Sequence, residues 1–163
     1  MKILAFDPGL ERIGYGCVRR EGSRLSPVAY GLIETPKIGL PDRLLILHEQ
    51  VLSLIDELAP DELATERLLF SVNKKTAMDV AKALGVILLA GSRSGLRWTD
   101  YTPPEIKQAV VGNGAADKRQ MEFMVTKLLS LSEAPKPDDV ADALGIAICH
   151  SMRSRVSIPN PSR

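Results

Sequence analysis

The stretch Lys2-Ile3-Leu4-Ala5-Phe6-Asp7-Pro8-Gly9 decides the architecture. Its first five residues are an apolar, β-prone run apart from Lys2, and the run stops at an acidic residue followed by a Pro-Gly turn signature. Chain with small and β-branched residues resumes at Ile13 to Val18, and a third β-like stretch covers about Pro27 to Ile33. These three segments read as an antiparallel meander whose first strand delivers Asp7 to its carboxyl end.

Beyond the meander the period changes. From Pro41, the residues Leu44, Leu45, Leu47, His48, Val51, Leu52, Leu54, Ile55 and Leu58 form a helical stripe, with Arg43, Glu49, Asp56 and Glu57 on the wetter side and Pro60 at its end. A short apolar strand, Leu63-Ala64-Thr65, leads into Glu66. Asn73 is placed to cap a long helix reaching Arg93, and Leu96 to Tyr101 is a further strand. Thr102-Pro103-Pro104-Glu105 opens a helix through Val111, which Gly112-Asn113-Gly114 breaks. Helices over Asp117–Leu131 and Asp139–Met152 follow, joined by Ala134-Pro135-Lys136-Pro137. Strands in a meander and then alternating with helices predict an α/β layer architecture: a mixed five-stranded sheet covered by helices on both sides. Residues 1–153 are expected to form a single domain, with 154–163 a frayed tail. The helix at 73–93 is apolar nearly all round in its second half. Either it is buried within the monomer, or its second face meets another subunit with Gly85 permitting close approach.

Composition sets bounds. The chain has 163 residues, 45% hydrophobic, and a net charge of +1, so nucleic-acid binding requires a local basic face. Its two cysteines, Cys17 and Cys149, have no metal-ligand or disulfide-framework spacing. Asp7 interrupts the first apolar run too early for a signal peptide, and Lys82 interrupts the longest, Val80 to Ala90. A reduced cytoplasm is the expected compartment, with no membrane contact.

The carboxylates carry the chemistry. Asp142 sits in a helix of small and apolar residues that offers no Lys or Arg to neutralise it, a costly position for an unpartnered charge. Asp139 lies one turn earlier on the same face. Helix capping accounts best for Asp138 and remains open for Asp139, but Asp142 is too deep to cap anything. Asp7 and Glu66 each end a strand, and ordinary loop acidity is the alternative for either one alone. If their strands are neighbours, both carboxylates reach the same sheet edge, and an all-oxygen set without histidine suits Mg²⁺ or Mn²⁺ and not zinc. His48 and His150 have no metal-ligand partner in the sequence. Neither GxxxxGK[ST] nor GxGxxG occurs.

Taken together, Phe6-Asp7-Pro8-Gly9, Thr65-Glu66, Lys107-Gln108-Ala109-Val110-Val111-Gly112-Asn113-Gly114 and Asp139-x-x-Asp142-Ala143-Leu144 resemble the RuvC family of bacterial Holliday junction resolvases, in order and spacing and over nearly the whole chain. The resemblance implies a ribonuclease-H-like fold and a homodimer that nicks two opposed strands of a four-way DNA junction, in concert with the RuvA and RuvB branch-migration proteins. It places an acidic tetrad at Asp7, Glu66, Asp139 and Asp142, holding two Mg²⁺ per active site with Mn²⁺ as a substitute, and basic DNA-contacting positions at Lys107 and Lys118. It implies hydrolysis to 5′-phosphate and 3′-hydroxyl ends. Lys74, Lys75 and Arg119 extend the basic track, with Arg67 and Asn73 as further DNA contacts. An aromatic expected after the catalytic Glu aligns with Leu69, beside Phe70, so either side chain could stack at the crossover. Two other classes are carried: an actin-like or sugar-kinase-like ATP phosphotransferase, suggested by Asp7-Pro8-Gly9 followed by Gly14-Tyr15-Gly16 but short of a second domain, and a non-catalytic junction-binding protein.

Overall fold

The computed structural model describes residues 1–68 and 74–154. Strands β1 (Lys2–Asp7), β2 (Arg12–Glu21) and β3 (Arg24–Glu34) are followed by α1 (Leu40–Leu58), β4 (Glu62–Glu66), α2 (Lys74–Arg93) and β5 (Arg97–Tyr101). Helices α3 (Pro103–Val111), α4 (Lys118–Leu128) and α5 (Asp138–Arg153) complete the described chain. One sheet of five strands has the order β3-β2-β1-β4-β5. The β1–β2 and β2–β3 pairs are antiparallel, whereas β1–β4 and β4–β5 are parallel.

Strand β1 occupies the middle, and its pleat explains the three layers. Leu4 and Phe6 face a core shared with Ile13, Leu47, Val51 and Ile87 under α1 and α2. Ile3 and Ala5 face the other core, with Val125, Leu144 and Ile148 under α4 and α5. Both faces of the strand are thus buried, as its unbroken apolar run requires.

The register fixes where the two strand-ending acids go. Phe6 lies beside Thr65 in the parallel β1–β4 pair, so one step further along both strands stand Asp7 and Glu66. The predicted adjacency of those strands is therefore present. Strand β3 begins earlier than expected because Gly22, at φ 63°, closes a tight turn between the paired residues Glu21 and Arg24. Pro27 is accommodated at a register shift opposite Cys17 and Val18, where an irregular ladder tolerates a residue without an amide proton. Helix α3 starts as predicted, with the Glu105 carboxylate accepting from the Thr102 amide at 2.9 Å. Asp117 is the cap of α4 and not its first residue, its side chain accepting from the Gln120 amide. That helix also ends three residues earlier than expected, ahead of Ser130 in the left-handed region at φ 52°. The expected cap at Asn73 and the tail at 155–163 lie outside the described residues.

Helix α5 lies directly on the backbone of β2. A Cβ added to Gly14 would stand 1.9 Å from the Asp139 carbonyl oxygen, and one added to Gly16 would stand 2.8 Å from Leu144 Cδ2. Gly14→Ala must therefore push the helix start away from the sheet. Backbone cannot swing aside as a side chain can, so the expected cost is at the upper end for overpacking, about 3 kcal/mol, measured by urea unfolding.

On α2, Ala83, Ile87 and Ala90 are buried, while Met78 and Leu89 are more than half exposed and a Cβ on Gly85 would meet nothing. Burial within the monomer does not account for this helix: residues 78, 82, 85 and 89 form an outward line at helical spacing.

Candidate active site

Three elements, β1, β4 and α5, bring four carboxylates to the carboxyl ends of the two strands. Asp7 and Glu66 end those strands, and Asp139 and Asp142 lie one turn apart at the start of α5, pressed there by the Gly14 contact. Asp7 shows how closely they gather. Its carboxyl is pushed up to about 8, first by burial and then by the charges of Asp142, Glu66 and Asp139, with Lys118 opposing. Glu66 is raised by burial and by Asp142, and Lys107 opposes. Burial raises Asp142 too, against Lys118. Each shift has the sign expected when desolvation and like charges disfavour a carboxylate.

Two lysines predicted from the sequence therefore do face the cluster. Lys118 pairs with Asp138 and stands 3.9 Å from Asp142. The helix of Asp142 supplies no cation, as expected, but the neighbouring α4 does. Asp139 has its own partner, Arg12, whose guanidinium is 2.7 Å from Oδ2. Sequence reasoning missed Arg12. The signal was the two-residue alternation of β2, which puts residues 12, 14 and 16 on the face that meets α5.

Among the described residues, no three Asp, Glu, His or Cys side chains are already closed around one cation position. The carboxylates are instead divided among Arg12, Lys118 and one another. The donor set nonetheless fits a hard divalent ion. All four groups offer oxygen, and Asp139 Oδ2 is buried without a hydrogen-bond donor, because the Arg12 contact is ionic and directs no N–H at it. Bound cations of high charge would remove the mutual repulsion that lifts Asp7.

The remaining predicted contacts are more scattered. Arg67 forks onto Asp100 of β5 at 3.0 and 2.8 Å, so its guanidinium is already engaged. Arg119 is exposed on the first turn of α4. Lys74 and Lys75 open α2, but their side chains, with Leu69, Phe70 and Asn73, lie outside the described residues.

His150 is no surface residue. It is 2% exposed, bonded through Nδ1 to the Tyr101 hydroxyl at 2.9 Å and through Nε2 to Glu62 at 2.6 Å. This trio ties α5 to β4 and β5, the strand pair that carries Glu66. Tyr101→Phe strips a partner from a buried ring nitrogen, and a loss of about 1–2 kcal/mol in thermal or urea unfolding is expected.

Comparison with known proteins agrees with this geometry. Residues 3–150 match the family described as crossover junction endodeoxyribonuclease RuvC. The crossover junction endodeoxyribonuclease RuvC of Halothermothrix orenii is 48% identical over 158 residues, spanning 96% of each chain. Among solved structures, Thermus thermophilus RuvC superposes with a TM-score of 0.87 at 33% identity, covering 93% of this chain and 94% of that one. Thermus thermophilus RuvC in complex with Holliday junction substrate gives a TM-score of 0.88 at 32% identity, covering 93% of both chains. The three-layer fold around a mixed sheet is that of the ribonuclease-H-like nucleases. Within that class, the chain belongs to the RuvC family.

Proposed function

We propose that this chain is a Holliday junction endonuclease, a hydrolase that nicks two opposed strands at the crossover and serves DNA recombination and repair. The observation that carries the reading is the placement of Asp7 and Glu66 side by side at the ends of two paired parallel strands, with Asp139 and Asp142 of α5 acting on the same buried Asp7 carboxyl. A structural core has no use for such a cluster, and a cation-assisted phosphodiester hydrolase does. Support also comes from the Thermus relative, solved with Holliday junction substrate.

Asp7, Glu66, Asp139 and Asp142 would hold two Mg²⁺ ions, or Mn²⁺ in their place, which supply a hydroxide at neutral pH and neutralise charge on the phosphate as the 3′ oxygen leaves. Lys107 and Lys118, on the rim of the cluster, orient the phosphate and compensate the acids before DNA arrives. Arg119, Lys74 and Lys75 continue the basic track along the arms, and Leu69 or Phe70 stacks on a base splayed at the crossover. Arg67 and Asn73 are further DNA contacts in this reading, Arg67 from a half-exposed position where its guanidinium also forks onto Asp100.

Residues 1–153 act as one domain. The working unit is a homodimer. The exposed Met78 and Leu89 on α2, with the open Gly85 between them, support this, since apolar side chains either side of a glycine suit a second helix. A twofold pair of sites matches the near-twofold symmetry of a four-way junction. RuvA and RuvB are the partners we infer, in the bacterial cytoplasm; among the described residues no helix is long and apolar enough to cross a membrane. Neither an ATP phosphotransferase nor a non-catalytic junction binder is favoured by any feature of the cluster.

The test uses a synthetic immobile junction beside a linear duplex of the same sequence, each with and without Mg²⁺. Paired nicks confined to the junction, dependent on Mg²⁺ and sealable by ligase, are expected. Equal cutting of the duplex, or ATP-dependent phosphate transfer without nicking, would refute the assignment.

A further inference from the structure

Arg12 opens β2 at the edge of the acid cluster, on the face whose next two positions are Gly14 and Gly16. With no side chain at either glycine, α5 settles against the strand, and Arg12 is left directly opposite the first turn of the helix. Its side chain is half exposed and reaches Asp139 Oδ2 at 2.7 Å. That oxygen is buried and receives no directed hydrogen bond, so the hold is Coulombic alone.

The same two residues border a cavity of about 610 Å³ between the β1–β2 turn, α2 and the start of α5. The turn is fixed from behind by Arg43, which is buried and donates to the Leu10 carbonyl at 3.1 Å and to Thr35 Oγ1 at 2.9 Å. Glu11 and Asp79 also face the cavity, Asp79 being paired with Lys82. Among the described residues that line it, Arg12 is the exposed cation.

We propose that Arg12 is an exchangeable partner of Asp139: it neutralises the carboxylate until a divalent cation takes Oδ2, and the released guanidinium then grips a junction phosphate next to the one being cut. The inference rests on reading the four carboxylates as the metal site. A divalent ion on Oδ2 carries twice the charge of the guanidinium and repels it from the same buried oxygen. The displaced side chain cannot enter the glycine-lined contact behind it, so it swings outward, where its planar fork matches a phosphate's oxygens. Loading of the metal and gripping of DNA are thereby coupled at a single residue.

Arg12→Gln distinguishes this from a passive surface charge, because two effects of opposite sign are expected. In a calorimetric Mn²⁺ titration without DNA, the variant should bind about two- to fivefold tighter than the native chain, the gain from losing a half-exposed competitor. Anisotropy of a labelled immobile junction in Ca²⁺ should show weaker binding, with the slope of log affinity against log salt reduced by about 0.9, one phosphate contact. Without divalent ions the two proteins should bind the junction alike. Arg12→Lys should keep the competition for Asp139 and recover only part of the junction affinity. The proposal is overturned if Asp139→Asn weakens Mn²⁺ binding while Arg12→Gln leaves it unchanged, or if Arg12→Gln lowers metal affinity and melting temperature together, as a local folding role would. Absence of Mn²⁺ binding by the native chain removes the metal-site reading itself and this inference with it.

Discussion

Replacing Asp7 by Asn is expected to cut junction cleavage by at least about 10³-fold while leaving junction affinity within about threefold of native. A residue that merely supports a metal ligand costs about 10–100-fold when lost, and Asp7 is central among the acids: it is the one whose carboxyl responds to all three others. An amide of the same shape still offers one oxygen but no charge, so two cations held close together lose part of what makes their proximity tolerable. Affinity for the junction rests on phosphate contacts from lysines and arginines, which the substitution leaves in place. Gel-shift titration in Ca²⁺ and a cleavage time course in Mg²⁺ measure the two quantities separately. Cutting within about tenfold of native by the Asn variant would remove Asp7 from the chemistry.

The same variant should be the more stable protein when metal is stripped away. Asp7 has its folded value raised from 3.8 to about 8, mainly by burial. Below about pH 4 the group is protonated in both the folded and the unfolded chain and costs nothing. As pH rises from there to about 8, the unfolded chain gives up its proton first, so native stability falls through this window and stays low above it. At about pH 9 in a chelator, Asp7→Asn avoids the penalty, and a gain of about 2–4 kcal/mol is expected, or roughly 5–15 °C for a chain of this size. Mg²⁺ should reverse the order, because saturation at about 100 times the dissociation constant adds about 2.7 kcal/mol to whichever protein binds it. Differential scanning calorimetry at two pH values, with and without Mg²⁺, gives four melting temperatures for each protein. A native chain that melts higher than the variant in chelator at alkaline pH would show that the acids do not repel one another as described.

How much of this could be read from the sequence depended on whether a residue's role was local. Asp7 and Glu66 were legible because each ends an apolar run at a turn, and a strand-ending acid points to a sheet edge whatever the topology. Asp142 was legible because a carboxylate deep in a helix of Ala, Leu, Gly and Ile has no cheap structural explanation. The three-layer fold followed from a change of hydrophobic period after residue 40. Arg12 was legible only in part: alternation along β2 puts it on one face with Gly14 and Gly16, but the helix that packs on that face comes from more than a hundred residues away. His150 read only as a residue without a metal-ligand partner, and its bonds to Glu62 and Tyr101 were hidden because those side chains reach it only once β4, β5 and α5 are assembled. Arg67, which looked free to meet DNA, is engaged by an aspartate one strand over, a cross-strand pairing no local pattern announces.

The seating of α5 on Gly14 and Gly16 bears on how such a protein drifts over generations. Where two elements meet through side chains, each replacement in the layer between them shifts their spacing a little, and the shifts accumulate. Here the distance from the end of β1 to the start of α5 is set by main chain touching main chain. The hydrophobic layers on either side can be rewritten extensively while the gap between Asp7 and Asp139 holds, so nearly all the vulnerability to mutation of that gap is concentrated in two positions that carry no side chain at all.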